Sequence, residues 1–302
     1  MNTATHPTQF PTNRLPPWFR QELPSMEKID GMKNTFRARR LHTVCETAHC
    51  PNMGQCWSRG VATFMILGDV CTRGCRFCAV PSGRPLGVDP QEPRHVAQTI
   101  QEMNLRYVVI TSVARDDLPD EGCGHFARTV QEIRCSAPQV KIEILIPDFS
   151  AREEHLKVVV ESGPEVISHN METVRRLSSK VRPQADYTRS LGVLKTIKRL
   201  NPAVFVKSSF MVGLGETEQE IGELMQDLLE AGCQILTIGQ YLAPSRKKRH
   251  LPVESFLSPE KFESYRRLGL DLGFRYVRSG PLVRSSYLAE EGYQELLKAH
   301  QS

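Results

Sequence analysis

The stretch Cys71-Thr72-Arg73-Gly74-Cys75-Arg76-Phe77-Cys78 closely follows the apolar run Val61-Ala62-Thr63-Phe64-Met65-Ile66-Leu67. A short apolar, partly β-branched run is typical of a buried strand, so we predict that a strand ends where this cysteine loop begins. Three thiolates bind soft metals well, and three ligands leave one position of a four-iron site open. The stretch therefore predicts a metal site at the carboxyl end of a strand.

Short β-branched runs alternate with segments of helical period from residue 61 onward. This alternation predicts parallel strands joined by right-handed crossover helices. Six such units are fewer than a closed barrel needs, so the predicted fold class is α/β, a partial (β/α)6 TIM-like barrel with N-terminal and C-terminal extensions. The predicted strands are Phe64–Leu67, Tyr107–Thr111, Lys141–Ile146, Glu165–Ser168, Val204–Ser209 and Ile235–Ile238. The predicted helices include Arg94–Met103, Glu153–Glu161, Leu191–Leu200 and Glu218–Ala231.

The chain of 302 residues divides into three predicted parts. Residues 1–60 form an extension with its own cysteines, residues 61–245 form the partial barrel, and residues 246–302 form a C-terminal extension. No apolar stretch approaches the roughly 18 to 20 residues that a membrane span needs. The start of the chain has neither a secretory h-region nor an amphipathic helix, so we expect a cytoplasmic protein, and a monomer because no sustained heptad stands out.

A second cysteine triplet, Cys45-x4-Cys50-x5-Cys56, lies in the N-terminal extension. Disulfides are disfavoured because nothing directs the chain to an oxidising compartment. A structural zinc site is the stronger alternative, with His42 or His49 as a fourth ligand, although structural zinc usually takes four closed ligands in paired units. Two triplets instead indicate two clusters, each with one position left for another ligand.

Several motifs together resemble the lipoyl synthase family of the radical S-adenosylmethionine (SAM) superfamily, from about Pro16 to Tyr287. One departure is Ala114, where an acidic or similar polar residue is expected. The motifs are the two cysteine triplets, Thr111-Ser112-Val113-Ala114-Arg115-Asp116-Asp117-Leu118, His169-Asn170-Met171-Glu172-Thr173 and Arg284-Ser285-Ser286-Tyr287.

The resemblance implies radical-based insertion of two sulfur atoms at C6 and C8 of a protein-bound octanoyl-lysine. An unactivated methylene offers no pKa within reach of a side-chain base, so the chemistry is delegated to a cofactor. By resemblance, Cys71, Cys75 and Cys78 hold a [4Fe-4S] cluster that cleaves SAM to a 5′-deoxyadenosyl radical. Cys45, Cys50 and Cys56 hold an auxiliary [4Fe-4S] cluster, the sulfur donor.

The fourth ligand of the auxiliary cluster is, by resemblance, a serine of the Arg-Ser-Ser-Tyr motif. We place it at Ser286, with Ser285 as the second choice. Oxygen is a poorer match than thiolate for iron in a sulfide cluster, which suits a cluster that gives up sulfur. Without the family pattern, both serines read as turn residues before the last helix.

Polar residues at strand ends are candidates to bind SAM. The candidates are Thr111, Ser112, Asn170, Glu172, Gln240 and Tyr241. Gly213–Thr217 offers backbone N–H groups, or is simply a turn with Thr217 as helix N-cap. Lys207 and Arg284 either position a carboxylate or cluster sulfur, or make ordinary salt bridges. The three remaining cysteines, Cys123, Cys135 and Cys233, are expected to be buried and inert.

The chain carries a net charge of +5, and basic residues bunch in Arg37–Arg40 and Arg246–His250. We hypothesise that Arg246–His250 docks an acidic carrier, the alternative being a solvated loop. The expected partners are octanoylated lipoyl domains of 2-oxoacid dehydrogenases, the glycine-cleavage H protein, and a flavodoxin or ferredoxin as electron donor. Two competing interpretations remain. One is a methylthiotransferase, a class of enzyme that usually carries an RNA-binding domain, and residues 288–302 are too few to form one. The other is a zinc module that binds nucleic acid or protein.

Overall fold

The computed structural model describes residues 15–20, 26–48, 50–59 and 61–301. His49, considered above as a zinc ligand, and residues 1–14 of the predicted N-terminal extension lie outside the described residues. Across the described ranges, the helices are too short or too polar to cross a bilayer.

Within the described residues, eight strands form one sheet, in which spatial order follows chain order. The strands β2 to β8 are parallel, and β1 is antiparallel to β2. The edge strands β1 and β8 do not pair with each other in the described part of the chain, so the sheet stays open. The strands are β1 His42–Thr43, β2 Thr63–Ile66, β3 Tyr107–Ser112, β4 Lys141–Leu145, β5 Val166–Ser168, β6 Phe205–Val212, β7 Ile235–Gln240 and β8 Tyr276–Gly280.

The predicted fold class is confirmed, and all six predicted strands form as β2 to β7. The prediction missed the two edge strands. β1 has only two residues, too few for a sequence pattern, and β8 reads Tyr-Val-Arg-Ser-Gly with only Val277 fully buried. Because β1 and β8 extend the same sheet, both extensions are integrated with the barrel. The boundaries at residues 60 and 245 stay predictions.

Helices connect successive strands from β2 to β8, and four of them match the four predicted helices. α8 begins at Tyr187, four residues before the predicted start, because Asp186 caps it by accepting a hydrogen bond from the Arg189 N–H. The helices are α1 Met26–Ala38, α2 Val44–Thr47, α3 Met53–Ser58, α4 Glu92–Glu102, α5 Cys123–Ser136, α6 Glu153–Glu161, α7 Arg175–Val181, α8 Tyr187–Leu200, α9 Glu218–Glu230, α10 Pro259–Leu272 and α11 Ala289–Gln301.

The two faces of the sheet are filled differently. On β3, Val108 and Ile110 belong to the large core between the sheet and the surrounding helices. Tyr107 and Val109 point to the opposite, concave face, because successive residues of a strand alternate. On this face the last helix, α11, inserts Tyr293 and Leu296. α11 therefore fills the part of the concave face nearest the starts of the strands.

Aromatic contacts hold α11 in this position. The Tyr293 ring lies with its centroid 6.0 Å from that of Tyr107 and 5.9 Å from that of Phe205. Leu296, one turn further along, is fully buried. The C-terminal helix is thus part of the barrel interior.

We predict that Leu296→Ala lowers the free energy of unfolding by about 2–5 kcal/mol, because it leaves a cavity inside the barrel. The control is Leu270→Ala on α10, where the side chain is 37% exposed and the expected loss is well below that range. Thermal unfolding of the anaerobically purified protein measures both. Equal losses would mean that α11 is not a packed part of the interior.

Candidate active site

The cysteine loop begins at a sharp change of direction after β2. Leu67 adopts a positive φ of 69° and donates its backbone N–H to the Glu92 carboxylate at 2.8 Å. The same carboxylate oxygen lies 2.7 Å from Nε2 of His125, and all these groups are buried. This contact between α4, α5 and the end of β2 fixes where the loop leaves the sheet.

Cys71 is anchored by its backbone and approached by two N–H donors at its sulfur. Its N–H donates to Pro81 O at 2.9 Å, and its carbonyl accepts from the Gly83 N–H at 2.9 Å. The backbone N–H groups of Arg73 and Ala114 point to Sγ at 3.4 and 3.3 Å. Because Ala114 acts through its backbone, the departure from the family pattern at this side chain leaves the contact with Cys71 intact.

Asp116 of the Arg-Asp-Asp run holds the cysteine loop through hydrogen bonds. The Thr72 hydroxyl donates to Asp116 at 2.5 Å, and the Arg73 guanidinium spans Asp116 and Asp148, with 2.7 Å to the latter. Burial raises the pKa of the Asp148 carboxyl, but Arg73 more than offsets this and the pKa is lowered overall. Arg115 turns the other way and forms a bidentate ion pair with Asp117.

The other end of the loop rests on the segment after β7. His250 is buried, and its Nε2 lies 3.0 Å from Cys78 O. A carbonyl only accepts, so Nε2 carries the proton and donates it to this bond. Nδ1 of the same ring lies 2.7 Å from the Ser245 hydroxyl.

A cavity of about 190 Å³ opens at the carboxyl ends of β3, β4 and β5, and we call it the strand-end cavity. Cys71 and Cys75 line it, whereas Cys78 does not. Four of the six predicted SAM contacts, Thr111, Ser112, Asn170 and Glu172, also line it. The Thr111 hydroxyl donates to Leu145 O at 2.9 Å, whereas Oγ of Ser112 and Oδ1 of Asn170 are buried without a hydrogen-bond partner. Unpartnered polar atoms of this kind fit a polar ligand.

The structure does not bring Gln240 and Tyr241 to this cavity. Nε2 of Gln240 donates to backbone carbonyls, including Ser255 O at 2.9 Å, and its Oε1 accepts from the Leu257 N–H. The Tyr241 hydroxyl donates to Leu251 O at 2.7 Å. The polar groups of both residues therefore hold the chain that follows β7.

Sequence reasoning missed His169 and Arg182 as lining residues. Nδ1 of His169 donates to Ile146 O at 2.9 Å, which leaves Nε2 as a buried acceptor without a partner. Burial, together with the nearby Arg182, lowers the pKa of His169 to about 4, so the ring is neutral at neutral pH. Its position directly after β5, in front of the predicted contact Asn170, was the available signal.

Arg182 lies between an acidic group and a thiol. It donates to Asn170 O at 3.0 Å, and its charge acts on both Glu172 and Cys75. Burial raises the pKa of the Glu172 carboxyl and lowers that of the Arg182 guanidinium. Nε of Arg182 is buried without a hydrogen-bond partner, so its N–H group is available to donate to a ligand.

A second, narrow cavity of about 20 Å³ lies among Cys45, Cys50, Cys56 and Ser286, and we call it the Cys45 cavity. The Ser286 Oγ accepts a hydrogen bond from the Thr63 hydroxyl at 2.8 Å. Ser285 and His42 are not among the lining residues. The structure thus brings three thiols and one hydroxyl together from opposite ends of the chain.

Two hydrogen bonds join the ends of the chain beside this cavity. Asn52 donates its side-chain N–H to Leu282 O at 2.6 Å, and the Tyr287 hydroxyl donates to Gln55 at 3.0 Å. Arg284 also lines the cavity and donates to Val283 O at 2.8 Å. Its guanidinium is buried near the Cys50 thiol, so of the two predicted roles this position favours that of positioning a cluster sulfur.

Burial raises the pKa of five of the six triplet thiols, which are therefore poorly suited to carry charge alone: Cys45, Cys50, Cys56, Cys75 and Cys78. Burial, reinforced by the Cys45 and Cys50 thiols, raises the pKa of Cys56 to about 12, and burial with Cys50 raises that of Cys45 to about 11. Burial with Cys78 raises the pKa of Cys75 to about 12. A positively charged metal group supplies what converging buried thiolates need, so both donor sets fit iron–sulfur clusters. Within the described residues, no three Cys, His, Asp or Glu side chains form a group for a single ion.

Other predicted site residues have ordinary structural roles. Gly213 and Leu214 donate their N–H groups to Glu216, and Thr217 caps α9 in a capping box, so this segment is a turn before a helix. Lys207 forms a buried salt bridge with Glu143 at 2.7 Å.

The three remaining cysteines differ in burial. Cys123 and Cys233 are buried, and burial raises the pKa of both thiols. The expectation was wrong for Cys135, which is exposed because it lies on the outer face of α5.

The two cavities open on the same face of the sheet. Thr63 of β2, beside Ser286, is paired with Val109 of β3. Thr111, which lines the strand-end cavity, lies two residues further along the same strand and faces the same side. With strand spacings of about 4.8 Å and a rise of about 3.3 Å per residue, these two positions are roughly 8 Å apart.

Comparison with known families agrees with this arrangement. The family model of the radical SAM superfamily matches residues 65–228, and that of the N-terminal domain of lipoyl synthase matches residues 3–50. The lipoyl synthase of Caldanaerobacter subterraneus subsp. tengcongensis is 52% identical over 281 residues, covering 93% of this chain and 98% of that protein. The lipoyl synthase of Halorhodospira halophila is 54% identical over 279 residues, covering 92% of this chain and 83% of that protein.

Solved structures share the fold at low sequence identity. Methylornithine synthase superposes with a TM-score of 0.54 at 15% identity, covering 85% of this chain and 79% of the other. HydG, a maturase of the [FeFe]-hydrogenase, superposes with a TM-score of 0.59 at 14% identity, covering 78% and 54%. These likenesses concern the architecture of the sheet and its helices.

We predict that Ser112→Ala weakens SAM binding about fivefold, because one hydrogen bond to the ligand is worth about 1 kcal/mol. Stability should be unchanged or slightly higher, since the hydroxyl has no partner in the protein. Equilibrium binding of SAM and thermal unfolding measure the two effects.

The matched control is Ser209→Ala on β6. The buried Ser209 hydroxyl donates to Thr237 O at 3.1 Å and lies outside the cavity, so stability should fall while SAM binding stays the same. Unchanged SAM binding by the Ser112 variant would remove Ser112 from the ligand site.

Proposed function

Since the chain belongs to the lipoyl synthase family of radical SAM enzymes, we propose that Cys71, Cys75 and Cys78 hold its SAM-cleaving [4Fe-4S] cluster. We propose further that Cys45, Cys50 and Cys56 hold the auxiliary [4Fe-4S] cluster, with Ser286 as its fourth ligand. The convergence of Ser286 with these three cysteines on one cavity supports the second assignment.

The chain catalyses the reaction of its family, the insertion of two sulfur atoms into an octanoyl chain carried on a lysine. The target carbons, C6 and C8, are unactivated methylene and methyl groups that no side-chain base can deprotonate. When bound, the two clusters and SAM supply the electron, the hydrogen-abstracting radical and the sulfur. The protein supplies binding, orientation and protection from solvent.

The observation that carries the assignment is the placement of both cysteine sites on one face of the sheet. The strand positions beside the two cavities, Thr63 and Thr111, are roughly 8 Å apart along neighbouring strands. An extended alkyl chain between the cavities would have the strand-end cavity on one side of each target carbon and the Cys45 cavity on the other. A hydrogen removed on the strand-end side would thus leave its carbon facing the Cys45 side.

The strand-end cavity offers a polar wall for SAM. Ser112 and Asn170 present unpartnered oxygens, and the neutral His169 presents Nε2 as an acceptor. Arg182 supplies the positive charge that suits a carboxylate, and Glu172 accepts hydrogen bonds from hydroxyl groups. These residues bind and orient the ligand on one side while Cys71 and Cys75 face it from the other.

Thr63 is assigned a positioning role at the Cys45 cavity. Its hydroxyl donates to Ser286 Oγ, so the Ser286 oxygen would keep this hydrogen bond if it held iron without its own proton. Such a bond also lowers the basicity of that oxygen and therefore weakens it as a ligand relative to a thiolate. A weak fourth ligand suits an iron that must leave.

The substrate is protein-bound, and the reaction needs an external electron donor. We propose octanoylated lipoyl domains of 2-oxoacid dehydrogenases and the glycine-cleavage H protein as carriers. A flavodoxin or ferredoxin is the proposed donor. The cytoplasm is the proposed location, because six ligand thiols require a compartment that keeps cysteines reduced.

We predict that Ser286→Ala lowers sulfur insertion roughly tenfold or more, as loss of a metal ligand should cost at least as much as loss of its supporting contacts. Formation of 5′-deoxyadenosine should persist, because the SAM-cleaving site is separate. The measurement is mass spectrometry of an octanoyl-lysine peptide after anaerobic reconstitution with iron and sulfide, followed by SAM and dithionite.

The matched control is the neighbouring Ser285→Ala, which leaves the cavity lining intact and should retain sulfur insertion. Ser286→Cys should hold the auxiliary cluster but release sulfur slowly. Equal loss of product in the Ser285 and Ser286 variants would reject Ser286 as the ligand. Deoxyadenosine without any sulfur insertion in the unaltered chain would reject the octanoyl substrate.

A further inference from the structure

The segment after β7 exposes an unbalanced run of positive charge. Arg246, Lys247, Lys248 and Arg249 are all exposed, and no acidic residue occurs between Tyr241 and Val253. In the part of the chain that the structure describes, none of these four side chains forms an ion pair. We call residues 246–249 the basic loop.

The basic loop is bonded to the backbone of the cluster-binding segment. The Arg249 guanidinium lies 3.4 Å from Cys78 O, and Arg249 O accepts from the Arg76 side chain at 3.3 Å. Leu251 donates its N–H to Arg76 O at 3.1 Å, and His250 donates to Cys78 O at 3.0 Å. The anchored residues at the end of the loop leave Lys247 and Lys248 free to face solvent.

These contacts place the loop beside Cys78 and apart from the strand-end cavity. Cys71 and Cys75 line that cavity, but neither Cys78 nor any residue of the basic loop does. A macromolecule on the loop would therefore approach the cluster ligand Cys78 without entering the space where SAM and the alkyl chain meet. That is the position required of an electron donor.

We propose that the basic loop docks an acidic electron-donor protein with a flavin or iron–sulfur group of low potential. The proposal rests on the assignment of Cys78 as a ligand of the SAM-cleaving cluster. In each transfer, the donor loses one electron and the cluster gains it, with no atom exchanged. Complementary charge accelerates such encounters by about 10- to 1,000-fold at low ionic strength.

The loop is less well placed for a carrier of the octanoyl chain. Such a carrier has to deliver its lysine to the concave face between the two cavities, where Thr63 and Thr111 lie. An acidic carrier is nevertheless attracted by the same charge. Charge reversal on the loop distinguishes the two partners. Loss of an electron donor would slow cluster reduction, whereas loss of a carrier would slow turnover of the protein-bound substrate.

The test is the double variant K247E/K248E, with R94E/K195E as control. Arg94 on α4 and Lys195 on α8 are exposed, and their reversal changes the net charge by the same amount. Clusters are reconstituted in each protein, and bleaching of their visible absorbance by reduced flavodoxin and by dithionite is followed by stopped-flow. Binding of oxidised flavodoxin is measured separately at low and high salt.

We expect reduction by flavodoxin to slow at least tenfold at low salt in K247E/K248E, with weaker binding and a flatter salt dependence. The ratio of the flavodoxin rate to the dithionite rate should be unchanged in R94E/K195E. An unchanged ratio in K247E/K248E, or equal loss in the control, would overturn the proposal.

Loss confined to dithionite-driven turnover of an octanoylated lipoyl domain, with an octanoyl-lysine peptide unaffected, would assign the loop to the carrier instead. Normal cluster reduction without any sulfurated product would count against the proposed function and leave the docking result standing.

Discussion

The inner face of an open parallel sheet has to be filled, and most of this structure follows from how that is done. α11 inserts Tyr293 and Leu296 against the starts of the strands, which leaves the space at their carboxyl ends for ligands. The residues just before α11 then cross from Gly239 at the end of β7, beside Val283, to Thr63 of β2. Ser286 lies in this passage and meets Thr63 there. The packing of the last helix thus positions a proposed cluster ligand.

The path of this segment depends on a glycine, Gly239, at the end of β7. A Cβ atom on Gly239 would lie 2.2 Å from Val283 O, so only glycine lets the chain pass at this point. The inward position at the end of β7 is therefore occupied by backbone. This also explains why Gln240 failed as a predicted SAM contact: being next in the strand it points to the other face, where it bonds the segment around Ser255.

The sequence was a good guide to the buried strands and to the cysteines that the fold brings together. Strands such as β2 and β3 read as nearly continuous apolar or β-branched runs because both faces are covered. Edge strands lack that pattern. In β8, Arg278 and Ser279 are polar and partly exposed. The cysteines were identifiable from spacing, whereas Ser286 needed the family resemblance, because a serine before a helix has several common roles. His169 was missed because a sequence does not show hydrogen bonds between distant residues. In the fold, Nδ1 donates to Ile146 O, and this leaves Nε2 as an unpartnered acceptor.

The two cysteine sites differ in the group that stands beside their three thiols, and the difference matches their proposed chemistry. Both sites offer N–H donors to sulfur: Cys71 receives them from the backbone of Arg73 and Ala114, and Cys50 receives one from the backbone of Asn52. At the Cys45 cavity the fourth group is a hydroxyl, and its hydrogen bond from Thr63 withdraws electron density from the oxygen that would hold iron. In the proposed assignment, the weaker fourth ligand belongs to the cluster that gives up sulfur. A sheet that presents both sites on one face would bring the two proposed clusters to the same alkyl chain.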